Sequence, residues 1–190
     1  VAAGMAWAEK EHKTGAIGVV FIGEGTLGEG VLYETLNIAS LWQLPLLFVL
    51  ENNHISQSTL QTQAVAGSLA ARAKAFATYV FDASTEQPEK LCKTARNAVS
   101  QTRRNQQPGF LIVNTYRLMA HSKSDDTRPQ NEVNEARGRD PLCSFENQSP
   151  DEYARLVAKA SSRIEQALRE IEEDKRVVSV TSKSKFDLQL

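Results

Sequence analysis

The chain has 190 residues, 41% of them hydrophobic, which suits one domain of ordinary size with a real core and excludes disorder as its global state. Its 22 basic and 23 acidic residues leave a net charge of -1, so there is no broad attraction to nucleic acid or to an anionic membrane surface. No apolar run approaches the roughly 20 residues of a membrane helix, and no charged-then-apolar leader opens the chain, so a soluble cytoplasmic protein is expected. The two cysteines, Cys92 and Cys143, suit neither a zinc site nor a disulfide framework and read as reduced intracellular thiols.

The first residue is Val1, and Val1 to Ala8 already reads as helix interior, so the chain is expected to start inside a larger domain. Helix-favouring residues run to about Lys13, and after Gly15 the β-branched run Ala16 to Ile22 predicts a strand buried on both faces. Gly23 to Gly30 is a turn with four glycines. Val31, Leu32, Leu36, Ala39 and Leu41 then predict one apolar helix face, which Leu44-Pro45 ends. Leu46 to Leu50 predicts the next strand, with Glu51-Asn52-Asn53-His54 as the polar loop at its carboxyl end.

Alanine-rich Ala64 to Ala77 predicts a helix, weakened near its start by Gly67, and Tyr79-Val80-Phe81 a third strand ending in Asp82. Pro88 to about Arg104 carries Leu91, Ala95, Ala98, Val99 and Thr102 at helical spacing behind a first-turn proline. Phe110 to Asn114 is a fourth strand, and Thr115-Tyr116-Arg117 leads into a polar segment, Met119 to about Asp140, that reads as a functional loop or as disordered. Ser149-Pro150-Asp151-Glu152 forms a capping box before a long amphipathic helix carrying Tyr153, Leu156, Val157, Ala160, Ile164, Ala167, Leu168 and Ile171. The tail from Val177 to Leu190 has no strong pattern, so the expected division is a domain over 1–176 and a tail over 177–190. Alternating buried strands and helices predict an α/β fold, an open, mostly parallel sheet with helices on both faces and its site at the carboxyl ends of the strands.

Gly23-Glu24-Gly25-Thr26-Leu27-Gly28 matches G-x-G-x-x-G between a strand and a helix, so a dinucleotide site is one reading, with Glu51 as its acidic residue. A second reading uses more residues. Glu24 and Asn53 follow neighbouring strands, so two hard oxygen ligands can converge, with the backbone carbonyl of Ile55 as a third. Magnesium wants about six oxygens and usually takes several from phosphate and water. Free amides of the glycine turn, with a helix amino terminus behind them, favour a diphosphate there.

Gly23-Glu24-Gly25, then Glu34, Leu36-Asn37, Ala39, Leu41-Trp42, Leu44-Pro45 and Glu51-Asn52-Asn53, resembles the thiamin diphosphate motif that runs from Gly-Asp-Gly to Asn-Asn. Thr115-Tyr116-Arg117 with His121-Ser122-Lys123-Ser124-Asp125-Asp126 is similar to the alpha subunit of the decarboxylating first component of 2-oxoacid dehydrogenase complexes, the pyruvate and branched-chain types. The match extends to about Asp174. The resemblance implies the thiamin diphosphate-binding fold without its amino-terminal part. It implies Mg2+ held by Glu24, Asn53 and the carbonyl of Ile55, and thiamin diphosphate bound through Gly23, Glu24, Gly25, Thr26, Asn53, Ile55 and His121. His121 is the implied catalytic residue, serving acyl transfer.

The implied activity is oxidative decarboxylation of a small 2-oxo acid with transfer of the acyl group to the lipoyl domain of an acyltransferase. It requires a beta-type subunit, in a heterotetramer, to complete the active centre. A non-catalytic scaffold or interface subunit is the competing reading, and a nicotinamide-binding domain a third. Three departures from the family pattern stand out: Glu24 for the usual Asp, His54-Ile55-Ser56 after Asn53, and Met119-Ala120 before His121. The extra methylene of Glu24 moves its carboxylate outward by roughly 1.5 Å. Ser122 and Ser124 occupy the loop that is phosphorylated in some relatives.

Overall fold

Four strands build one parallel sheet in the computed structural model, which describes residues 1–122 and 125–173. They are β1 (Gly18–Gly23), β2 (Leu46–Asn52), β5 (Tyr79–Ser84) and β6 (Gly109–Asn114), in the order β1-β2-β6-β5. Ile22 pairs with Leu50, Leu50 with Ile112, and Ile112 with Asp82. β2 and β6 are central and almost continuously buried, whereas β1, which pairs only with β2 among the described residues, alternates between half-buried and exposed. The apolar run Ala16 to Ile22 predicts a strand buried on both faces, but β1 exposes Val19 and Phe21 by 44% and 67%, so an apolar run alone does not place a strand in the interior.

The two-residue period of a strand divides the core between the faces. Leu46, Phe48, Leu50, Phe110 and Ile112 meet Ala6 of α1 (Ala2–Glu11), Leu32, Leu36 and Ala39 of α2 (Gly30–Leu41), and Ala73 of α4 (Leu69–Lys74). Leu47, Val49 and Leu111 meet Ala98 of α5 (Pro88–Asn105) on the other face. Phe48 and Phe110 stack with centroids 5.9 Å apart, and each fully buried side chain of this size contributes about 1.5–3 kcal/mol. At Gly109 a Cβ would stand 2.5 Å from Thr102 Oγ1 of α5, so glycine sets how closely that helix approaches β6.

The chain runs from β1 through α2 to its neighbour β2, crosses to the far edge at β5, and returns through α5 to place β6 between them. All four strands point the same way, so the turns after β1, β2 and β6 gather at one edge of the sheet. The β2–β5 crossing carries a small hairpin, β3 (Ile55–Ser56) and β4 (Thr59–Leu60), then α3 (Gln61–Ala64) and α4.

Several expectations change in detail. The turn after β1 winds into a 3-10 helix, Glu24–Gly28, and β2 continues through Asn52. On α2, Leu32, Leu36 and Ala39 are buried but Val31 and Leu41 are 63% and 73% exposed. Val31 stands about 100° around the helix from Leu32, and Leu41 about 140° from Leu36, so neither shares the buried line. The helix expected over Ala64 to Ala77 is divided, with α4 starting only after Gly67, whose φ of +74° breaks a right-handed helix. Met119 to Asp140, expected as a loop, contains α6 (Gln130–Gly138), whose buried Val133 and Ala136 supply a helical spacing too short to detect as a period.

The chain divides into two units, Val1–Cys143 and Ser144–Leu190, with α7 (Pro141–Gln148) running across the division. In the second, α8 (Pro150–Glu173) begins at the expected proline, the Tyr153 ring lies edge-on to Phe145 at 6.3 Å, and Arg155 pairs with Glu152 at 2.5 Å. The tail expected over Val177 to Leu190 lies outside the described residues, as do Lys123 and Ser124.

Candidate functional site

β1 ends on Gly23 and passes straight into the 3-10 turn, which carries Glu24 and Leu27 inward. Glu24 is only 2% exposed. Its Oε2 accepts the backbone N–H of Asn53 at 3.4 Å, while Oε1 is buried with no partner. An unpaired buried carboxylate oxygen is costly to leave unsatisfied, and Oε1 is of the hard oxygen type that a magnesium ion takes. A Cβ on Gly25 would collide with Ser56 Oγ of the hairpin, so the turn after β1 and the segment after β2 pack backbone to side chain. Gly23 has no such neighbour within 4 Å, and Thr26 is half-buried, its carbonyl accepting from Glu29 N–H at 2.9 Å.

Asn53 follows the last residue of β2, and its Oδ1 accepts the N–H of Ile55 at 3.0 Å across His54, which takes a left-handed φ of 63°. This side-chain turn holds Asn53 and Ile55 together and leaves Oδ1 a second lone pair. Glu24 joins them through its bond to the Asn53 amide. The sequence-predicted set Glu24, Asn53 and Ile55 is thus one contiguous group. Among the described residues no three His, Cys, Asp or Glu side chains gather as a metal cluster. The available donors are a carboxylate, a side-chain amide and a backbone carbonyl, a hard oxygen set that fits magnesium with phosphate and water completing the shell, and does not suit zinc. The longer Glu24 side chain is accommodated here with its carboxylate buried beside Asn53.

Beneath this group the strand ends are tied by side chains that the sequence reading passed over. Asn52 Nδ2 donates to Asn114 Oδ1 at 2.9 Å, and Asn114 Nδ2 donates to Asp82 Oδ1 at 2.8 Å. The Asn52 carbonyl accepts the N–H of Thr115 at 2.9 Å. The available signal was that two predicted strands end in Asp82 and Asn114 and that Asn52 lies just beyond a third.

His121 lies in the segment after β6, with its side chain 54% exposed and Nδ1 3.5 Å from Asp125 Oδ2. Its polar partner is Asp125, not Glu24 or Asn53. Arg128 orders this segment: Nη1 donates to the Arg117 carbonyl at 2.6 Å, Nη2 reaches the Met119 carbonyl at 3.4 Å and pairs with Asp126 at 2.6 Å, and Cζ sits 5.0 Å from the Tyr116 ring centroid. Arg117 in turn donates to the Gln57 carbonyl at 2.9 Å, linking the His121 segment to the hairpin beside Asn53. Its Nε is buried without a partner.

The charges follow these bonds. Hydrogen bonds from Arg128 hold the Asp126 carboxyl at about 2 and raise the Arg128 guanidinium in return. The Ser122 amide and hydroxyl, at 3.0 and 2.9 Å, keep Asp125 below the usual carboxylate range. Burial, followed by its hydrogen bond to Glu132 at 2.9 Å, pushes the Tyr116 hydroxyl up.

The sequence matches one family along nearly its whole length. The family described as dehydrogenase E1 component matches residues 1–179. The chain belongs to this family. It is 32% identical over 174 residues to a protein named pyruvate dehydrogenase E1 component subunit alpha in Rickettsia felis, covering 90% of this chain and 53% of that protein. The protein of the same name in Rickettsia bellii is 30% identical over 176 residues, covering 91% of this chain and 52% of the relative. One named as the mitochondrial alpha subunit, in Dictyostelium discoideum, is 35% identical over 145 residues, covering 74% and 38%. The chain thus spans about half the length of the first two dehydrogenase E1 relatives. No described helix is long and apolar enough to cross a membrane.

Proposed function

We propose that this chain is an alpha-type part of a thiamin diphosphate-dependent 2-oxoacid dehydrogenase, contributing the magnesium and diphosphate half of the active centre. The observation that carries the reading is the buried, unpartnered Oε1 of Glu24 beside Asn53, in a family of dehydrogenase E1 components. Glu24, Asn53 and the carbonyl of Ile55 would hold Mg2+, with the Gly23-Glu24-Gly25-Thr26 turn receiving the diphosphate. When bound, thiamin diphosphate supplies the electron sink that lets a 2-oxo acid lose carbon dioxide. The chain's own residues bind and orient that group, exclude water from the buried carboxylate, and present His121 for hydrogen bonding and proton transfer during acyl transfer.

A beta-type subunit in a heterotetramer, the lipoyl domain of an acyltransferase and a small 2-oxo acid complete the proposal, as do a cytoplasmic location and a domain division at 176/177. The retained burial of Glu24 and its reach to Asn53 favour this reading over a scaffold with a degenerate site. Titration of the full natural protein, assembled with its partner, should show that thiamin diphosphate and magnesium each tighten the other's binding. Cofactor binding indifferent to a magnesium chelator would overturn the reading.

A further inference from the structure

The carbonyl of Leu27 lies in the Glu24–Gly28 turn, and two donors from outside the turn converge on it. Tyr33 Oη of α2 donates at 2.5 Å and Arg72 Nη1 of α4 at 3.3 Å. Arg72 also donates to Tyr33 Oη, lies 5.6 Å from the Tyr33 ring centroid, and sends Nε and Nη2 to the Ala66 carbonyl at 3.0 and 2.7 Å. Tyr33 packs on Phe76 with centroids 6.0 Å apart. One guanidinium therefore binds the turn after β1, the first turn of α2 and the linker between α3 and α4.

Two features separate this cluster from an ordinary surface arginine. Among the described residues no carboxylate pairs with Arg72, so its charge is solvated by carbonyls and a hydroxyl and stays available to an anion bound nearby. Both convergent donors act on the peptide that follows Gly25 and Thr26, so they hold the orientation of the turn whose amides face the proposed diphosphate. Tyr33 makes the shorter bond to the carbonyl, while Arg72 adds a charged donor and, through its own bond to Tyr33 Oη, fixes where that hydroxyl points.

We propose that Arg72, with Tyr33, is a positioning clamp that holds the Leu27 carbonyl, keeps the Glu24–Gly28 turn in its anion-receiving conformation, and couples occupancy of that turn to the order of the α3–α4 segment. This rests on the diphosphate reading of the turn. Arg72 touches neither cofactor nor substrate; it acts through the turn. Arg72→Met keeps the length of the side chain and removes its charge and donors.

In the full natural protein with its partner subunit, Arg72→Met should weaken thiamin diphosphate binding in magnesium about tenfold, the loss expected for a charge-assisted hydrogen bond. Turnover at saturating cofactor should stay within about twofold, and Arg72→Lys should recover part of the affinity. Cofactor should protect the wild type, and not Arg72→Met, from chymotrypsin at Leu69 and Phe76. Unchanged affinity in a folded Arg72→Met protein, or a fall in turnover at saturation without a change in affinity, overturns the clamp. Should Arg72→Met fail to fold, Tyr33→Phe decides: a loss of about threefold supports the clamp and no change overturns it. Inorganic pyrophosphate with magnesium is the second probe. A wild type that ignores thiamin diphosphate but binds pyrophosphate in an Arg72-dependent way keeps the clamp and removes the coenzyme reading, and one that binds neither overturns both.

Discussion

The two halves of the candidate site are held by different forces. The turn after β1 and the end of β2 are fixed by burial and close packing: Glu24 is inside, Gly25 touches Ser56, and Asn52 and Asn114 tie neighbouring strands. The His121 segment is half-exposed and held by charge, with Arg128 gripping Asp126 and two carbonyls. The magnesium site proposed for the first half would demand near-ideal geometry, which suits donors fixed by packing. The acyl-transfer role proposed for His121 would be served by a tether that salt and acid can loosen.

The largest effect separating the halves should come from Glu24. Glu24→Gln is expected to weaken magnesium-dependent cofactor binding by at least about 100-fold, read by calorimetry, because losing a direct ligand exceeds the 10–100-fold cost of losing a supporting residue. The same substitution removes a buried carboxylate oxygen, Oε1, that has no partner, so in the absence of magnesium the melting temperature should equal or exceed that of the wild type. A metal-free Glu24→Gln protein that melts well below the wild type would show that Oε1 has a structural partner.

Gly25 gives the next effect. Gly25→Ala places a methyl group on Ser56 Oγ and should cost about 1–3 kcal/mol in urea unfolding, the usual range for overpacking. Adding Ser56→Ala should restore most of it, since residues in contact show interaction energies of about 0.5–3 kcal/mol. Additive losses would mean the turn and hairpin do not meet there.

Arg128→Met tests the other half. Proteolysis between Met119 and Arg128 should accelerate about tenfold, in line with loss of a charge-assisted bond, while metal-dependent binding at Glu24 changes little. Equal damage to both halves would mean that Arg117 and Gln57 couple them tightly.

The smallest effect is a pH dependence. Asp126 ionises at about 2 in the folded chain, below the usual carboxylate near 4. A depressed folded value means the Arg128 pair contributes fully above about pH 4 and is lost as pH falls from about 4 through about 2. Protection of the Arg128 amide, which donates to Asp126 Oδ1 at 3.2 Å, should therefore hold down to about pH 4 and fall below it, and Asp126→Asn should flatten that profile. A profile unchanged in Asp126→Asn would assign the protection elsewhere.

The buried runs Leu46 to Leu50 and Phe110 to Asn114, and the helix begun by Pro88, were legible because hydrophobic period and proline placement are local properties. Glu24 and Asn53 were legible as a pair because a parallel sheet puts successive strand ends on one edge. The short hairpin, α6 and the Arg128 tether were not, since two-residue strands and a nine-residue polar helix carry no readable period. Nor was the exposure of Val31 and Leu41, which depends on where around the helix the sheet lies.

By itself, then, the amino-acid order determined the α/β class, the glycine turn, and the oxygen donors available after β1 and β2, because each follows from chain geometry within a few residues. Tertiary structure alone decided that β6 enters between β2 and β5, so that Asn114 reaches Asn52. It also decided that Arg72, far along the chain, grips the Leu27 carbonyl. Contacts between distant segments depend on packing the whole sheet, and no local period encodes them.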